Sequence, residues 1–117
     1  MSGGDAAAVD ALKQVRQGKH TILLLQNGKS PNSRTYLDFE TVPLALDGVC
    51  KLFEERLKQQ FAGQRNITYD VSDLFAFIDN LPDLGALVFD HNTLQYQARN
   101  KDWIKEKVLR HLQNIAS

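Results

Sequence analysis

At 117 residues the chain is sized for one domain that can build its own core. Its apolar content of 43% is that of a globular protein rather than a disordered one, and no apolar run approaches the roughly 18 residues that cross a bilayer. Fourteen basic residues balance fourteen acidic ones, which removes the broad positive field of an autonomous nucleic-acid binder; the single Cys50 excludes an internal disulfide and fits a reducing compartment.

Residues 1–19 differ from the rest and are expected to form an N-terminal extension, flexible or in a short helix, with the folded domain over 20–116. Ala8, Ala11, Leu12 and Val15 share one helical face, and Gly18 would end such a helix. Asp5 and Asp10 count against a mitochondrial presequence, and Asn66-Ile67-Thr68 has no weight as a glycosylation acceptor without a secretory signal.

His20 to Gln26 reads as the first strand, with Ile22-Leu23-Leu24-Leu25 as an unbroken apolar run. A turn cluster at residues 27–33 leads to an alternating segment, Arg34 to Glu40, the second strand of a hairpin. There Thr35, Leu37 and Phe39 fall on one face and Arg34, Tyr36 and Asp38 on the other.

Thr41 caps a helix to about Phe61, whose inward stripe is Val42, Leu46, Val49, Phe53 and Leu57. Gly48 inside it implies a close packing neighbour, since glycine costs roughly 1 kcal/mol there against alanine. After a break, Ile67-Thr68-Tyr69 is extended. Asp70, with Asp73 three residues on, caps a second helix with Val71, Leu74, Phe75, Ile78 and Leu81 on one face, and Pro82 stops it.

Leu84 to Phe89 is the third strand, Asp90 to Thr93 a turn, and Leu94 to Ala98 the fourth strand. The last helix starts near Lys101, capped by Asn100, with Ile104, Val108, Leu112 and Ile115 inward and Arg110 and His111 near its negative end. The order is ββααββα, an α+β chain without internal repeats.

A sheet covered on one side alternates apolar and polar residues, and the first and third strands do not. Three amphipathic helices in so short a chain cover one face only. The other face needs a second lid, and a second copy of the chain is the simplest one, because a two-fold contact of sheet on sheet is self-complementary. Leu23 and Leu25 then pack on the helices, while Ile22 and Leu24, with Arg34 and Tyr36 beside them, form the dimer interface.

An enzymatic reading finds no constellation. His20, His91 and His111 have no metal-ligand spacing and read as surface or edge residues, Cys50 reads as a buried inert thiol, and no glycine-rich phosphate loop follows a strand. Asp70 and Asp73 are explained as a helix start; Asp79 and Asp83 have nothing opposite them. No enzyme activity, cofactor or metal site is expected. The alternative function is a direct RNA-binding module using the basic C-terminal helix, with Lys101, Lys105, Lys107 and Arg110 along one edge and Trp103 nearby. Thr35-Tyr36-Leu37-Asp38 fits an acidic-directed kinase site, so Thr35 is a candidate phosphosite, where a phosphate would add about −2 charge to the second strand.

Six strings, in this order, form a wider pattern: His20-Thr21-Ile22-Leu23-Leu24, Arg34-Thr35-Tyr36, Gly48-Val49-Cys50-Lys51, Ile67-Thr68-Tyr69-Asp70-Val71-Ser72, Leu74-Phe75-Ala76-Phe77-Ile78-Asp79 and Asn100 to Lys107. The pattern resembles the enhancer of rudimentary homologue family over roughly residues 19 to 115, and the extension stands outside it. The resemblance implies a four-stranded antiparallel sheet with three helices on one face, and a homodimer through the open faces, with Ile22 and Leu24 at the contact. It further implies a small, non-enzymatic nuclear adaptor for RNA-processing proteins, with the cytoplasm also open as a location and no membrane. The activities implied are mRNA and microRNA-precursor processing, splicing and selective mRNA elimination, with links to the cell cycle and pyrimidine metabolism. The partners are then short segments of those proteins, and direct nucleic-acid binding is not expected.

Overall fold

A computed structural model of the chain describes residues 18–63 and 69–116; the helix expected before Gly18 and the extended residues 67–68 lie outside them. Four strands, β1 (Thr21–Gln26), β2 (Arg34–Phe39), β3 (Asp83–Asp90) and β4 (Gln95–Arg99), form one antiparallel sheet in the order β2-β1-β3-β4. Three helices, α1 (Val42–Gln60), α2 (Val71–Asn80) and α3 (Lys101–Ala116), pack on one face of it.

Period-two alternation divides β1. Thr21, Leu23 and Leu25 point into the helical layer and are buried, while Ile22 is half-buried and Leu24 exposed on the opposite face. The buried Thr21 hydroxyl donates to the Lys19 carbonyl at 2.8 Å, so its one polar atom is satisfied. Leu84, Ala86 and Val88 of β3 join the same layer.

Thr41 caps α1 by accepting the Leu44 backbone N–H at 3.3 Å, and the helix buries Ala45, Leu46, Val49, Cys50 and Phe53. Gly48 has the close neighbour its position implied: the Phe39 ring of β2 lies where a Cβ would be, with its Cζ 2.5 Å from that point. The missing side chain lets the sheet edge and the helix approach.

At the start of α2 a reciprocal box forms. The Asp73 N–H donates to the Asp70 carboxylate at 3.2 Å, and the Asp70 N–H donates to the Asp73 carboxylate at 3.1 Å. The Ser72 hydroxyl on Asp70, followed by the Asp73 amide, holds the Asp70 carboxyl below its ordinary value. A carboxyl lowered in the folded state stabilises the fold above its unfolded value, near pH 4, and that contribution disappears as pH falls through the folded value. Thermal melts of wild type and Asp70→Asn should therefore differ at neutral pH and converge in acid; a difference that is constant with pH would contradict this.

At its other end α2 meets Lys101, whose ammonium donates to the Leu81 carbonyl at 2.5 Å and the Asp79 carbonyl at 3.3 Å, a cation at the negative end of the helix dipole. Asp79 is not isolated as expected, because the Lys105 ammonium reaches its carboxylate at 2.9 Å. Asn100 caps α3, accepting the Trp103 N–H at 2.9 Å, and Ile104 and Val108 are fully buried.

Two further expectations are corrected. Leu94 belongs to the turn rather than to β4: the Asx-type bond from the Asn92 N–H to the Asp90 carboxylate and the Leu94 N–H to the Asp90 carbonyl, both 2.8 Å, close the loop with Leu94 at φ 57°. Ile115 lies on the inward stripe by spacing but is 65% exposed, because α3 outruns the layer it packs on. The last stripe residue packed against the core is Leu112, and His111 donates to the Asp47 carboxylate of α1 at 2.6 Å beside it.

The uncovered sheet face as candidate site

The face of the sheet opposite the helices carries the sequence's site residues, and the register brings them together. Across the strands, Ile22 lies between Asp38 and Leu87, and Leu24 lies between Tyr36 and Gly85. Gln26 lies between Arg34 and Asp83. Leu24 is 42% exposed and Tyr36 69% exposed, next to half-buried Ile22 and Leu87. Arg34 Nε donates to Gln26 Oε1 at 3.0 Å, which anchors the polar end of the face.

The other end is aromatic. Phe89 of β3 meets Tyr96 of β4 edge-on at 5.2 Å and His91 at 5.0 Å. His20, just before β1, spans this end: its Nε2 pairs with the Asp38 carboxylate on β2, and its Nδ1 shares a 2.7 Å hydrogen bond with the Tyr96 hydroxyl on β4. With Nε2–H donating to the carboxylate, Nδ1 accepts from Tyr96. Three strands are thus tied by one imidazole over an apolar floor.

Thr35 stands apart from this face. Its side chain is exposed on the helix side of edge strand β2, opposite Leu25. Sequence reasoning placed Ile22, Leu24, Arg34 and Tyr36 correctly on the outward face, and it missed His20, Leu87, Phe89 and Tyr96 as their neighbours. Strict alternation from buried Ala86 and Val88 would have placed Leu87 and Phe89 there. No sequence signal links His20 to residues 18 and 76 positions away.

As chemistry, the face offers little. His91 Nε2 donates to the Gly18 carbonyl at 2.9 Å and His111 pairs with Asp47, so each imidazole has a structural partner. Among the described residues no group of three or more His, Cys, Asp or Glu side chains could hold a metal ion. Burial, followed by the charges of Asp47 and Glu54, pushes the Cys50 thiol up to about 11. A thiol raised in this way stays protonated at pH 8. Iodoacetamide should accordingly modify Cys50 slowly in the native protein and rapidly in urea, as followed by mass spectrometry; equal rates would contradict its burial.

The basic helix edge expected of an RNA binder is not assembled. Lys101 caps α2, Lys105 pairs with Asp79 and, at 3.6 Å, with Asp102, and Arg110 pairs with Glu106 at 2.8 Å. Only Lys107 of the four stays near Trp103, 5.7 Å from its ring.

A family model described as enhancer of rudimentary matches residues 17–117, the whole described fold. The chain belongs to the enhancer of rudimentary family. An enhancer of rudimentary homolog from Dictyostelium discoideum is 50% identical over 97 residues, covering 83% of this chain and 97% of the relative. One from Arabidopsis thaliana is 46% identical over 99 residues, covering 85% of this chain and 91% of its own length. The protein enhancer of rudimentary of Drosophila virilis is 52% identical over 89 residues, covering 76% and 86% respectively. The enhancer of rudimentary family is not a known enzyme family.

Proposed function

We propose that this chain is a homodimeric, non-enzymatic adaptor of the nucleus, present also in the cytoplasm, that binds short segments of RNA-processing proteins. The single observation that carries this reading is the apolar sheet face left uncovered by its own helices, with Leu24 and Tyr36 open to solvent beside Ile22 and Leu87. Large apolar patches on a monomer surface mark interaction sites. Two such faces are complementary to each other by symmetry, with Arg34 and Tyr36 offering contact area and polar ends at the rim. Family membership supports the assignment to mRNA and microRNA processing, splicing and mRNA elimination, with ties to the cell cycle and pyrimidine metabolism. A dimer holds two copies of a bound segment, which raises effective concentration without strong single contacts.

Light scattering at micromolar concentration tests the dimer. Ile22→Arg with Leu24→Arg removes two apolar contacts worth about 1.5–3 kcal/mol each and places charges in a dry interface, so dimerisation should weaken by at least about 100-fold. A wild type that is monomeric throughout would overturn the reading. Direct RNA binding by the last helix has less support, because three of its four cations are already held by acidic groups or carbonyls.

A further inference from the structure

The β4 edge carries a second surface, separate from the sheet face. β4 pairs with β3 on one side only. The Phe89 N–H points to the His20 carbonyl at 2.9 Å, so by alternation Ala86, Val88 and Asp90 turn their backbone groups toward β4 and engage Arg99, Gln97 and Gln95. The N–H and C=O of Tyr96 and Ala98 therefore point outward, without a partner among the described residues, along an open edge.

Beside this edge, on the helix side, Arg99 and Lys107 both lie over the Trp103 ring, with Arg99 Cζ at 5.6 Å and Lys107 Nζ at 5.7 Å from its centroid. Among the described residues no carboxylate pairs with either cation, whereas Lys105 and Arg110 on the same helix are both matched. Two unmatched positive charges converge on one aromatic platform next to a row of free backbone donors and acceptors.

We propose that β4 takes up an extended acidic peptide as a fifth strand, its backbone pairing with Tyr96 and Ala98 and its acidic side chains, at alternate positions, meeting Arg99 and Lys107. The free strand edge favours a peptide over RNA, since a polynucleotide has no amide ladder to pair there. The cations supply the selection, because alternate residues of an added strand fall on the same side as Arg99. The proposal rests on the adaptor reading and names the surface and the chemistry of the bound segment.

Trp103 is the only tryptophan of the chain, so its fluorescence reports this site directly. The probe is a synthetic capped peptide of about ten alternating Glu and Thr residues, titrated into the full chain. Saturable change is expected at roughly 50 mM salt, with affinity falling about tenfold or more at roughly 500 mM. Arg99→Glu with Lys107→Glu should weaken binding at least about tenfold while leaving the thermal melt and the light-scattering mass unchanged. Methylating the peptide amides that face β4 should weaken it similarly.

A wild type that ignores the probe up to about 1 mM overturns the proposal. So does binding that survives both amide methylation and the charge reversal, or a single-stranded oligouridylate that binds more tightly than the peptide and is lost in the same variant. The light-scattering mass separates the two readings: a dimer that ignores the probe refutes the strand-addition site alone, and a monomer that binds it refutes the dimer alone.

Discussion

Truncating Ile104 to alanine should destabilise the protein by about 2–5 kcal/mol, a large share of the roughly 5–15 kcal/mol that holds a domain together. Ile104 is fully buried where α3 meets the sheet and the other two helices, and the close-packed surroundings can collapse only partly into the space its side chain leaves. In a domain of this size the melting temperature should fall by about 10 °C or more. Ile115→Ala is the internal control. It removes the same side chain from the same stripe of the same helix, at a position 65% exposed, and should change stability by less than about 0.5 kcal/mol. Equal losses at the two positions in urea titrations would mean that α3 does not outrun its layer.

Gly48→Val should be the second large effect. A Cβ at this position would lie 3.0 Å from Phe39 Cε1 and 2.5 Å from Cζ, the latter a distance that real side chains do not reach, so the ring or the helix must move. Overpacking of this kind costs about 1–3 kcal/mol, and valine brings little of the helix propensity that alanine would offer in return. The clash has one named partner, so relief is specific: Phe39→Leu, itself destabilising, should cost less in the Gly48→Val background than in wild type. A double-mutant cycle measures this directly, and strict additivity of the two changes would show that the ring is not what valine strikes.

Local chemistry made most of the fold legible in the sequence. The Asp70–Asp73 pair announced the start of α2 because both partners of the box lie three residues apart. Asn100 announced α3 for the same reason. Gly48 inside α1 announced a close contact, and only its partner, Phe39, had to come from the tertiary structure. The unbroken apolar run of β1 announced apolar side chains on both faces of the sheet, and they divide as alternation requires.

What remained hidden depends on where an element stops relative to its neighbours. Spacing assigns Ile115 to the inward face but carries no information on how long the opposing layer is. Leu94 has strand propensity, and the four-residue closure from Asp90 overrides it. Of the site, the outward placement of Ile22, Leu24, Arg34 and Tyr36 was legible from alternation, while the imidazole bridging Asp38 and Tyr96 was not. Its partners lie on β2 and β4, the two outer strands of the order β2-β1-β3-β4, which is not the order of the chain.

The tie between the His91 imidazole and the Gly18 carbonyl fixes where the main chain enters the sheet. Entry is at the aromatic corner, next to Phe89. With residues 1–17 deleted, an affinity tag or fluorophore joined directly to Gly18 would start at that rim and crowd whatever settles there. The last turn of α3, with Ile115 already in solvent, is the end to which a handle should be attached for capture or labelling.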